Sequence, residues 1–94
     1  MLSQLPIDLK KVSKGSIDKE ILRAGVLAEL DAINLYEQMA AMTESVEIKK
    51  IVLEIAKEEK THVGEFQSLL LRLDKEQEKE LEEGRKEVEK ELGK

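Results

Sequence analysis

Three side chains in this 94-residue chain have the types and the spacing to hold a metal ion together: Glu29, Glu59 and His62. Glu59 and His62 stand three residues apart, which on a helix places both on one face, one turn apart. His62 is the only histidine. Each of the three interrupts a row of otherwise apolar or amphipathic residues. Leu22, Val26, Glu29, Ile33, Tyr36 and Ala40 follow steps of 4, 3, 4, 3 and 4, a single helical stripe with Glu29 in its middle. Ile48, Val52, Ile55, Glu59, His62, Phe66, Leu69 and Leu73 alternate the same two steps, with Glu59 and His62 side by side in the seam.

A carboxylate buried alone costs several kcal/mol, or it loses its charge through a shifted pKa. A shared cation accounts for all three residues at once. Taken singly, each has a plainer explanation. A Glu at the edge of an apolar stripe usually reaches water, a helical His is usually a satisfied core or surface residue, and Glu-x-x-His is common by chance. The joint arrangement favours ligation. A hairpin turning at residues 43–45 puts Glu29 about 15 residues before the turn and the pair about 15 after it, so antiparallel helices of equal rise bring the three to one height.

The trio offers two carboxylates and one imidazole. A di-iron carboxylate centre in a helical bundle takes a Glu from each of two helices and Glu-x-x-His from each of the other two. This chain holds half that set, and a symmetric homodimer would complete it, with two ions per dimer and Glu59 as the expected bridging ligand. Mixed carboxylate and imidazole ligation suits iron or manganese, with zinc as a possible substitute. Tyr36, the only tyrosine, shares the Glu29 stripe two turns further along. It is either a hydrogen-bond donor to a ligand carboxylate, or a local electron source, or an ordinary core aromatic with its hydroxyl satisfied. Asp31, Glu58 and Glu65 read as solvated residues, with the conduction of cations inward as their functional alternative.

The elements that must position these residues are helices. Ser16 is the expected N-cap of a periodic segment over Ile17–Met42. Thr43-Glu44-Ser45 breaks the period, and Thr43 or Ser45 can cap a second segment, Val46–Leu73, which Asp74 interrupts. Residues 1–15 contain the single proline, Pro6, and read as an arm. In residues 75–94, fourteen of twenty side chains are charged. Leu81, Val88 and Leu92 give this stretch a thin apolar seam and Gly84 weakens it, so a charged helix and a fraying tail both fit. The expected fold is all-α: an N-terminal arm (1–15), an antiparallel two-helix hairpin (16–74) and a charged C-terminal helix or tail (75–94), dimerising into a four-helix bundle.

Composition narrows the function classes. The net charge of −5 argues against nucleic acid, which needs a basic patch, and suits a protein that attracts cations. Without cysteine there is no disulfide or thiolate chemistry. No apolar run approaches the roughly 20 residues of a membrane span, and no signal peptide opens the chain, so a cytoplasmic protein without a membrane partner is expected. A chain this short buries a modest fraction of its surface alone, and a partner or a metal would help.

The stretches Ala28-Glu-Leu-Asp-Ala-Ile-Asn-Leu-Tyr36 and Glu58-Glu-Lys-Thr-His62 resemble the encapsulated ferritins, two-helix members of the ferritin-like group that occur free or fused to an encapsulin shell protein. The similarity runs over about residues 21–73. It implies Glu29, Glu59 and His62 as iron ligands with Tyr36 beside the site. It further implies a ferroxidase centre formed only at a subunit interface, a ring of such dimers such as a decamer, and delivery of iron to an encapsulin nanocompartment for storage. Three departures stand out. Some relatives carry an acidic residue where this chain has Ala28, which implies a weaker secondary metal site. An expected tryptophan-type position is Leu35. Cargo relatives end in a short apolar-and-glycine targeting peptide, whereas this chain ends Lys-Glu-Leu-Gly-Lys, as would the ferritin-like part of a longer shell fusion or a relative loaded by another route.

The expected activity is therefore oxidation of Fe(II) to Fe(III). The rivals are a rubrerythrin-like peroxide scavenger using the same site, and a non-catalytic structural or adaptor dimer whose polar seam residues only fix register.

Overall fold

The computed structural model describes residues 16–94, which form three helices in the order α1 (Ile17–Met42), α2 (Val46–Leu73) and α3 (Lys75–Leu92). The expected arm at 1–15 lies outside the described residues. No strand occurs among the described residues.

The break at residues 43–45 is a turn closed by side chains. Thr43 Oγ1 accepts a hydrogen bond from the Ser45 amide at 3.1 Å, and Ser45 Oγ accepts one from the Ile48 amide at 3.2 Å. Of the two expected caps, Ser45 is the one that satisfies an amide in the first turn of α2. Ser16 does not behave as expected. It occupies the N-cap position of α1 without a side-chain capping bond, because its backbone is helical (φ −111°, ψ −8°) rather than extended. An extended N-cap is what aims the hydroxyl at the first turn.

The core between α1 and α2 is thin. Ile33, Ala40, Val52, Ala56 and Leu70 are its buried members. Ala40 and Ala56 are the most deeply buried of these, small residues that occupy little space between the helices. The apolar stripes are wider than this contact. Ile48, Leu69 and Leu73, expected in the α2 seam, are exposed, while Ala56 and Leu70 from neighbouring positions are buried. Two helices bury only the arc each turns toward the other, so the rest of each stripe stands open.

α3 leaves the hairpin. At 1.5 Å per residue α2 is about 42 Å long and α3 about 27 Å. Asp74 makes the corner. Its Oδ1 accepts from the Gln77 amide at 3.0 Å, capping α3, and its Oδ2 takes the Arg23 guanidinium of α1 at 3.0 Å. Residues 75–92 are helical, which settles the choice between helix and tail in favour of helix. Arg85 bridges Glu82 and Glu89 along its surface. Gly93 ends it at φ +72°, a left-handed backbone that suits glycine.

The Gln77 amide, then the Arg23 guanidinium, hold the Asp74 carboxyl below its ordinary pKa against the opposing effect of burial. A group with a depressed folded pKa adds stability above its unfolded pKa and loses it as pH falls through the folded value. Asp74→Ala should therefore lower the circular-dichroism melting temperature at pH 7, and the gap from the parent should close in acid, below the ordinary carboxylate range.

Candidate metal centre

α1 carries Glu29 at its midpoint and α2 carries Glu59 and His62 at its own. The three-residue turn makes the helices antiparallel and equal in height, so all three side chains meet. His62 Nδ1 lies 3.4 Å from Glu29 Oε2 and 3.4 Å from Glu59 Oε2. One ligand atom from each residue falls within 4.8 Å of the other two. No other group of three or more His or acidic residues converges in this way among the described residues.

The electrostatics of the trio are unfinished. The Glu29 and Glu59 side chains are 19% and 18% exposed, so both carboxylates have lost most of their water. Glu29 Oε2 is fully sheltered and has no hydrogen-bond partner. Nδ1 of His62 approaches it at 3.4 Å, beyond the usual hydrogen-bond range. A buried acceptor left in this state costs about 1–3 kcal/mol, and more if charged. A cation removes the cost, because it accepts the lone pairs that no donor reaches.

The donor set fits a metal. Two ligands on one ion, each about 2.1 Å away, lie at most about 4.2 Å apart, so a trio within 4.8 Å needs only a small swing of a carboxylate to close on an ion. Two carboxylates balance a divalent charge, and one imidazole nitrogen shifts the preference from calcium or magnesium toward iron, manganese or zinc. Three donors leave half of a six-coordinate shell open.

Tyr36 is half-buried on α1, about 10 Å along the helix from Glu29. Its hydroxyl reaches none of the three ligands in its own chain. Glu58 and Glu65 are exposed and Asp31 is half-buried, and none of them joins the cluster. What the stripes did not disclose is the orphaned state of Glu29 Oε2, because a spacing pattern places a residue without revealing its partners.

The sequence profile of the Rubrerythrin family matches residues 20–92. The chain belongs to this family. Over 69 residues it is 61% identical to the ferritin-like–encapsulin shell fusion protein of Pyrococcus furiosus, covering 73% of this chain and 20% of that protein. Over 56 residues it is 41% identical to the encapsulin nanocompartment cargo protein EncC of Myxococcus xanthus, covering 60% of this chain and 43% of that one. The chain thus spans less than half the length of either curated relative. Its whole length superposes on the crystal structure of the encapsulated ferritin domain from Pyrococcus furiosus, with a TM-score of 0.85 and 50% identity, covering 98% of that domain. The resemblance to the encapsulated ferritins read from Glu29, Glu59, His62 and their neighbours therefore holds, and so does the all-α class. No helix among the described residues is long and apolar enough to cross a membrane.

In this rubrerythrin-family chain, Glu29→Leu removes the orphaned oxygen and one of two neighbouring negative charges. In chelator the variant should melt at a higher temperature than the parent. At a divalent-ion concentration about 100 times its Kd the parent should gain about 2.7 kcal/mol and the variant far less. Equal gains in both would remove Glu29 from the ligand set.

Proposed function

We propose that the chain is a ferroxidase working as a homodimer, in which Glu29, Glu59 and His62 of two copies hold two iron ions between them and oxidise Fe(II) to Fe(III). The observation that carries this reading is the open side of the trio. His62 is 45% exposed, and it lies in a row on α2 with Ile48, Ile51, Ile55, Phe66, Leu69 and Leu73, most of them about half exposed. An apolar face of this kind marks a surface that meets a partner. The trio sits midway along both helices, so a twofold axis through it overlaps the full length of two hairpins. Ile21, Leu69 and Leu73 at the open end of one copy then meet the turn end of the other, where Met39, Ile48 and Ile51 are exposed.

Iron is the substrate. Each Fe(II) gives up one electron. O2 takes two electrons and two protons to become hydrogen peroxide, or hydrogen peroxide takes them to become two waters. Glu59 is assigned as the ligand shared between the ions, with Glu29 and His62 completing each set, and manganese or zinc as substitutes. The protein fixes ligand number and geometry, leaves positions for the oxidant and keeps the remaining core apolar. Tyr36, whose hydroxyl has no hydrogen-bond partner among the described residues, is assigned as a donor to a ligand carboxylate once the two copies meet. Helical aromatic side chains generally lean toward the helix N-terminus, which for Tyr36 is the direction of Glu29.

The relatives are, by name, a shell fusion and a shell cargo. With these names and the resemblance to the encapsulated ferritins as support, we infer that dimers of this chain assemble further into a ring such as a decamer, meet an encapsulin shell protein and deliver ferric iron for storage inside the nanocompartment, in the cytoplasm.

Glu59→Ala or His62→Ala should abolish Fe(II) oxidation followed by ultraviolet absorbance; undiminished rates would reject the assignment. Turnover of peroxide far above iron deposition, sustained by an added electron donor, would replace ferroxidase with a peroxide scavenger. Iron should also promote association, since the assembled state is the one that binds it. Mass measurement before and after chelation checks this. An assembly indifferent to chelation, with no stoichiometric metal, would leave a structural dimer.

A further inference from the structure

Gly25 lies one turn before Glu29 on α1, and Phe66 one turn beyond His62 on α2. The two meet. A Cβ at Gly25 would fall 2.7, 2.8 and 2.9 Å from Cδ1, Cε1 and Cγ of the Phe66 ring, closer than Cβ atoms pack. The ring therefore rests on the α1 backbone itself. Glycine inside a helix is unfavourable by propensity, so its presence here needs a reason, and the seated ring supplies one. Phe66 is also the only phenylalanine of the chain.

Contact at this height has a consequence one turn away. The separation of α1 and α2 beside the trio is set by the thickness of one ring lying on bare backbone. Ligand-to-metal distances hold within about 0.2 Å, so a shift of a few tenths of an ångström between the helices changes what Glu29 and His62 can grip together. Close-packed contacts do not deform smoothly, and any side chain at position 25 must push either the ring or the helix. We propose that Gly25 and Phe66 are a positioning pair: the ring seated on Gly25 fixes the approach of the two helices and so the size of the cation that Glu29, Glu59 and His62 accept. This rests on the metal-centre reading above.

Cobalt(II) titration of the full chain, followed by visible absorption with helical circular dichroism as the folding check, tests it. Gly25→Val should weaken cobalt binding by about tenfold or more, the scale of losses beyond the direct ligands, and should shift the absorption bands. Gly25→Ala should do the same to a smaller degree, and it carries the test if the valine chain loses its helix signal. Adding Phe66→Leu to either variant should recover most of the lost affinity, because the ring that collides is gone. Unchanged affinity and bands in both Gly25 variants would overturn the proposal, as would double variants no better than the single ones. The underlying site reading fails differently: the unsubstituted chain would then take up no cobalt, or would bind it equally well after Glu59→Ala, and the positioning pair would fall with it.

Discussion

Two carboxylates stand in a two-helix core too small to dissolve them, and most of the structure follows from that condition. Ile33, Ala40, Val52, Ala56 and Leu70 are all that the described hairpin buries. Into the same contact it brings Glu29 and Glu59, each stripped of most of its water. An apolar core can be thin, and a buried ionic cluster can be tolerated, but the combination leaves a single hairpin short on both counts. One oxygen of Glu29 has no donor at all. The missing charge and the missing apolar cover lie on the same side of the molecule, along the row that includes His62. On the proposed reading, a cation and a second copy would answer both deficits together.

The remaining parts keep the trio at one height. Ser45 starts α2 at a defined residue by capping the Ile48 amide, which fixes how many residues separate the turn from Glu59. Asp74 closes α2 through its backbone amide, caps α3 with its carboxylate, and is tied back to α1 by Arg23. The hairpin is therefore closed at its turn by residues 43–45 and held at its open end by an ion pair, with Glu29, Glu59 and His62 midway between the two restraints. α3 adds little to this. Its ion pairs run along its own surface, and surface pairs of that kind contribute little to stability.

Kinship with the rubrerythrin family agrees with this architecture.

The two hairpin helices and their limits were legible from residues alone, because propensity, caps and periodicity are local, whereas residues 75–92 read equally as helix or tail until the fold showed α3. Thr43-Glu44-Ser45 and Asp74 interrupt the period wherever the helices later pack. Glu59 and His62 share a face for the same reason, and counting outward from the turn carried Glu29 to their height. Tertiary structure decided what depends on the rotation of one helix against another. A stripe wide enough to serve two neighbours does not say which arc each will cover, so the exposure of Ile48, Leu69 and Leu73 beside buried Ala56 and Leu70 appeared only in the fold. The seat of Phe66 on Gly25, the turn of α3 at Asp74 and the orphaned oxygen of Glu29 joined that set. Each is a contact, or a missing one, between residues far apart in the chain, and spacing carries no information about the angle at which such residues meet.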